Sequence, residues 1–130
     1  MPAVTADCLL GIDIGTYSSK GVLVRQSGEV AAAASVEHQL SLPHPGHVEH
    51  DPEGVWWGDF RTLTRELLER SRIPPGRIAG IGISSISPAV VAADERGLAL
   101  RPAILYGIDT RATAEIQELA ALTGAELSSQ

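Results

Sequence analysis

The chain has 130 residues, 44% of them hydrophobic and 20% charged, a balance that suits one globular domain able to bury a working core. Its formal charge is −6, and the ten basic residues are dispersed rather than clustered, which argues against sequence-independent nucleic-acid binding. A single cysteine, Cys8, excludes an intrachain disulfide and a cysteine-rich zinc site.

Residues 1–7 carry no basic patch ahead of a long apolar run, so a secretory signal is not expected. The longest weakly apolar stretch, 30–36, is too short to span a bilayer. The expected compartment is the cytoplasm, with no membrane partner. Residues 8–13 and 20–25 read as two strands of nearly continuous apolar character, as in a sheet covered on both faces. The turn Gln26-Ser27-Gly28-Glu29 leads to a third antiparallel strand over 30–36. A loop rich in proline, glycine and histidine follows over 38–50. Asp51-Pro52-Glu53 then opens a helix, with Asp51 as N-cap and Pro52 in its first turn.

Trp56, Phe60, Leu63 and Leu67 share one face of that helix, and Arg65–Glu69 and Glu66–Arg70 are spaced as surface ion pairs. Pro74-Pro75-Gly76 ends it. Residues 78–84 read as a buried strand with glycines that admit a close neighbour, pairing parallel with the first. A small hairpin is expected over 89–100 around Asp94-Glu95-Arg96-Gly97, then an extended segment over 101–106. A final helix from about Thr110 is expected to bury Ala112, Ile116, Leu119 and Ala120, with Gly124 beyond its end. The fold class is α/β: a mixed sheet of three antiparallel strands, then a helix and a parallel strand.

The chemistry concentrates in Gly11-Ile12-Asp13-Ile14-Gly15-Thr16-Tyr17-Ser18-Ser19-Lys20. A strand ends in an acid and reverses through a turn rich in backbone N–H donors. Amides from Gly15, Thr16, Tyr17, Ser18 and Ser19 can cradle phosphate oxygens, a hydroxyl of Thr16 or Ser18 can assist, and Asp13 can direct a Mg²⁺ ion. Lys20 adds positive charge if it faces the same way. Neither the Walker A spacing nor a dinucleotide-binding fingerprint is present. The bland alternative is an ordinary hairpin whose glycine and serines merely make the turn.

Asp13-Ile14-Gly15-Thr16-x-Ser18-x-Lys20 resembles the first phosphate motif of the FGGY carbohydrate kinases, in the sugar kinase, heat-shock chaperone and actin superfamily. Pro45-Gly46-His47-Val48-Glu49-His50-Asp51-Pro52, leading into Trp56-Trp57, resembles the segment that opens the family's first helix. Leu100-Arg101-Pro102-Ala103-Ile104-Leu105-Tyr106, followed by Asp109-Thr110-Arg111, resembles a third family segment. The ensemble is most similar to the xylulokinase-like branch and covers nearly the whole chain.

The resemblance implies a ribonuclease H-like, actin-like ATPase fold, of which residues 1–130 would be the amino-terminal portion of the first domain, with no second domain. It implies ATP and Mg²⁺ as cofactors and a sugar or polyol as substrate, with transfer of the γ-phosphoryl group to a hydroxyl. A homodimer is an open option. The family's general base and adenosine site lie farther along, so no catalytic base is assigned here and the chain alone is expected to be inactive.

The expected sugar-side residues are Ser85, Ser87, Tyr106, Asp109 and Arg111. Asp109 or Thr110 could equally N-cap the last helix, leaving Arg111 on the surface. Two departures stand out. Ser84-Ser85-Ile86-Ser87-Pro88-Ala89 occupies the place of the family's glycine-glutamine-x-histidine-glycine sequence, which leaves the sugar unassigned. Tyr106 replaces a tryptophan, with one extra residue before Asp109. Trp56 is expected in the core, and His38, His44, His47 and His50 match no metal spacing and read as solvated loop histidines. Two other function classes fit less of the sequence: a non-catalytic regulatory or oligomerising module of the same fold, and an actin-like or chaperone-like ATPase.

Overall fold

Side-chain alternation decides which face of the sheet is buried. In the computed structural model, which describes residues 6–123, β1 (Cys8–Ile14) and β2 (Ser18–Arg25) form an antiparallel hairpin with Ile12 opposite Gly21 and Asp13 opposite Lys20. β3 (Val30–Glu37) pairs antiparallel with β2 after a turn in which Gly28 adopts a φ of 88°. A long loop leads to the short β4 (Glu49–His50) and then to the helical region. There the Asp51 carboxylate accepts the Glu53 amide at 3.0 Å, and Pro52 begins a wide π-helical turn that runs to Trp57. α1 (Gly58–Ser71) continues from it and ends at Arg72, whose φ of 56° turns the chain out of the helix.

A 3-10 turn at Pro75–Arg77 delivers β5 (Ile78–Ser85), parallel to β1, giving the strand order β3-β2-β1-β5. β6 (Ala89–Val90) and β7 (Ala103–Leu105) join β4 in a second small sheet of order β4-β7-β6. α2 (Thr113–Thr123) closes the described chain. Three consecutive antiparallel strands, a helix and a return strand parallel to the first bear out the α/β mixed-sheet reading.

The core lies between α1 and one face of the larger sheet. Cys8, Leu10, Ile12, Ile14 and Leu23 meet Leu63, Leu67 and Ile73 there, with Trp56 and Phe60 partly covered at the margin. Gly21 makes that approach possible: a Cβ on it would stand 2.9 Å from Cδ1 of both Ile12 and Leu67. Asp7 pins the start of β1 to β5 through both carboxylate oxygens, which accept the Arg77 guanidinium.

Three expectations fail for physical reasons. β1 and β2 are covered on one face only, because α1 is the single layer packed on the larger sheet among the described residues; Leu9 stays 55% exposed on the other face. β5 is not buried, since α1 packs over β1 to β3 and leaves Ile81 and Ile83 open. α2 buries none of its residues, with Ile116 and Leu119 open, because it docks on no strand. The small hairpin around Asp94–Gly97 is present in short form, with an antiparallel bridge between Ala93 and Ala99 and the Leu100 amide on the Ala92 carbonyl, while β6 pairs with β7.

Of the two expected helix-surface pairs, Glu66–Arg70 forms, while Arg65 and Glu69 do not meet. Gly124, expected beyond the end of the last helix, lies outside the described residues. No helix among those residues is long and apolar enough to cross a membrane.

Candidate active site: the phosphate turn and its backing

The face that α1 leaves bare carries the acid and the lysine of the opening motif. Asp13 and Lys20 are cross-strand partners, and Ser84 pairs with Asp13 from β5, so all three lie on that face. With Gly11, Val22 and Gly82 they line an open concavity of about 500 Å³. Its polar end coincides with the carboxyl ends of the parallel strands β1 and β5, the usual ligand position in α/β sheets.

Among the described residues no three carboxylate, imidazole or thiol groups gather as a metal cage. A lone exposed Asp13 suits magnesium held mainly by phosphate oxygens and water, with one protein carboxylate.

The turn joining β1 to β2 is gripped from behind. The carbonyl of Gly15 accepts His38 Nε2 at 3.1 Å, and that of Thr16 accepts His50 Nε2 at 3.1 Å. The carbonyl of Tyr17 accepts the His38 backbone amide at 3.1 Å, and that of Ser18 accepts the Gly15 amide at 3.0 Å. Gly15 is restricted to glycine by this last contact, since a Cβ would sit 2.9 Å from the Ser18 oxygen.

A buried polar cluster supports the grip. The Asp59 carboxylate accepts the Ser19 hydroxyl at 2.7 Å and His38 Nδ1 at 2.7 Å. His50 Nδ1 accepts the Trp56 indole N–H at 3.0 Å. Burial, followed by the nearby His38 ring, pulls the His50 pKa below its ordinary value. The reading of all four histidines as solvated is therefore corrected: His38 and His50 are inside, His44 is exposed and His47 is half-buried. Ser19 also turns its side chain toward α1, away from Asp13 and Lys20. Of the phosphate-side residues, Tyr17 is exposed while Thr16 and Ser18 are half-buried.

On the second sheet, Asp109 and Arg111 are brought together with Glu49 and Arg101. Arg111 donates to both oxygens of Asp109 at 2.7–3.0 Å and to Glu49 at 2.8 Å, and Arg101 also reaches Glu49, at 2.7 Å. The Val48 amide adds a 2.6 Å bond to Asp109. The Arg111 guanidinium is the main reason both carboxylates titrate below their ordinary range, and they in turn raise Arg111. Asp109 accepts the Arg111 guanidinium and the Val48 amide and also the Arg111 amide at 3.0 Å, a cap-type bond ahead of α2, while Arg111 is mostly covered rather than free on the surface.

Gly107, between Tyr106 and Asp109, adopts a φ of 82°. Tyr106, Ser85 and Ser87 are exposed, and Trp57 stacks on Phe60 with ring centres 5.2 Å apart. Sequence reasoning missed His38, His50 and Asp59. Within the helix-opening segment His50 and Glu49 were visible as letters, but nothing local marked their burial.

The FGGY family of carbohydrate kinases, N-terminal domain, matches residues 8–129. The chain belongs to this family. A glycerol kinase of Citrifermentans bemidjiense is 41% identical over 85% of this FGGY chain and 22% of its own length. Crystal structures of a xylulose kinase from Rhodospirillum rubrum (40% identity, TM-score 0.78) and a xyloylose kinase from Brucella ovis (34%, 0.79) superpose on 88% and 90% of it. Those alignments cover 23% and 24% of the two kinases. The chain therefore spans about a quarter of the length of the relatives it matches, and its fold is that of the actin-like ATPase sugar kinases.

Proposed function

We propose that this chain supplies the phosphate and magnesium end of an ATP-dependent kinase acting on a small polyol or sugar, as the amino-terminal portion of its first domain. The observation that carries this reading is the placement of Asp13 and Lys20 side by side on the open face, at the mouth of an amide-rich turn. Phosphoryl transfer asks mainly for positioning and charge neutralisation, and these groups offer both. Thr16 and Tyr17 amides would bind phosphate oxygens, Lys20 would offset their charge, and Asp13 would hold the magnesium ion. When bound, that ion would help neutralise the phosphate charge.

Ser85 ends β5 and Ser87 lies just beyond it, where hydroxyls suit an acceptor rich in hydroxyl groups. Asp109 and Arg111 would shape the acceptor side through the Glu49 network rather than through free hydrogen-bonding capacity. Relatives named glycerol kinase and xylulose kinase support a polyol or ketose acceptor without selecting between them. The base that deprotonates the hydroxyl and the adenosine pocket would come from other parts of the polypeptide. A cytoplasmic location goes with this reading.

The test is an ADP-release assay of the complete polypeptide carrying this chain against a panel of polyols and sugars. Acceptor-dependent ADP release, lost in Asp13→Asn, is the expected result. ATP turnover indifferent to every acceptor would overturn the reading in favour of an ATPase.

A further inference from the structure

Resting on the reading that the 15–18 turn receives phosphate, we propose that His38 and His50 are positioning residues that aim the turn's amides at the nucleotide. In a trans peptide unit the carbonyl and the following N–H point in opposite directions. The Gly15 carbonyl shares its unit with the Thr16 N–H, and the Thr16 carbonyl with the Tyr17 N–H. His38 and His50 hold those two carbonyls inward at 3.1 Å each, so the two N–H groups are turned away from the buried cluster. Among the described residues neither N–H donates to a loop or turn carbonyl.

The proton on the His50 ring follows from its partners. Indole N–H is only a donor, so His50 Nδ1 accepts from Trp56 and the ring proton resides on Nε2, facing the Thr16 carbonyl. His38 faces acceptors at both nitrogens, the Asp59 carboxylate at Nδ1 and the Gly15 carbonyl at Nε2. Ser19 fixes the carboxylate from its other neighbour, β2.

Burying four polar side chains, Ser19, His38, His50 and Asp59, behind one turn is expensive when apolar residues would fill the same volume. Their product is orientation. The grip also spans distant chain segments, with His38 and His50 lying 23 and 34 residues from the carbonyls they hold. It therefore sets the turn only once β3, β4 and α1 are assembled.

Steady-state kinetics of the complete polypeptide test the proposal. His50→Phe keeps a ring but removes the donor, and should raise KM for Mg·ATP about tenfold while leaving KM for the acceptor within about twofold. His50→Gln returns a donor near the Nε2 position and should recover most of the loss. A purely structural histidine would instead lower kcat and thermal stability with KM for Mg·ATP unmoved, and that outcome overturns the proposal. Should His50→Phe fail to fold, ¹⁵N imidazole shifts of the native protein decide: a proton on Nδ1 of His50 overturns it, and a proton on Nε2 supports it. A wild-type polypeptide that phosphorylates nothing overturns the phosphate reading itself, and this proposal with it.

Discussion

Asp13 and Lys20 face each other across the β1–β2 hairpin on the surface that α1 leaves uncovered. Side chains one position along, Ile12 and Ser19, are buried against α1 instead. The two-residue period of the strands thus separates the site from its support.

Because Asp13 is exposed and takes no part in the core, Asp13→Asn should leave the melting temperature within about 1 °C of wild type. Activity of the complete polypeptide should fall about 100-fold or more, since a neutral amide cannot direct the metal that accompanies phosphate. Calorimetry alongside the ADP-release assay separates the two effects.

Gly21 is the tightest point beneath α1. Gly21→Ala should cost about 1 kcal/mol and Gly21→Val about 3 kcal/mol, as Ile12 and Leu67 are forced apart. Urea unfolding of both variants measures this, with equal midpoints for all three proteins as the contrary result.

Two ion-pair partners make stability depend on acid. Asp109 and Glu49 titrate below their ordinary values, chiefly through Arg111, so the unfolded chain binds protons more readily than the folded one near pH 4. Their contribution is present above the unfolded values and fades as pH falls through the folded ones. In Arg111→Met the cation is gone, and the rise in urea midpoint between pH 3 and pH 5 should shrink or reverse. A variant that keeps the wild-type slope would show the network to be irrelevant to folding.

His50 acts in a higher window. Its folded pKa lies below the ordinary 6.5, so the unfolded chain takes up the proton first and stability falls as pH drops below that value. The slope is at most about 1.4 kcal/mol per pH unit for one group. Melting curves from pH 7.5 to 5.5 should show His50→Gln losing less stability than wild type over this range.

The sheet and first helix were legible because their signals are local. Asp51 and Pro52 mark a helix start, and Gly28 marks the turn into β3. The parallel return of β5 followed from element order. Burial of His38 and His50 was illegible: both sit in a stretch whose composition reads as loop, and their partners Gly15, Thr16 and Asp59 are remote in sequence. Ile81, Ile83, Ile116 and Leu119 misled in the other direction, since apolar letters announce a need for cover without showing that it is met. Within the site, Asp13 and the turn could be read from spacing. The engagement of Asp109 with Arg111 and Glu49 needed three segments in place at once.

Among the described residues, β5 closes one side of the larger sheet with an unpaired row of backbone donors and acceptors, and Ile81 and Ile83 flank that row. Such a border is a template for any extended chain, another copy included. Concentrating this chain on its own therefore favours self-association through added strands. Ile81→Lys is the change that would discourage it, since Ile81 does not line the concavity beside Asp13 and Lys20.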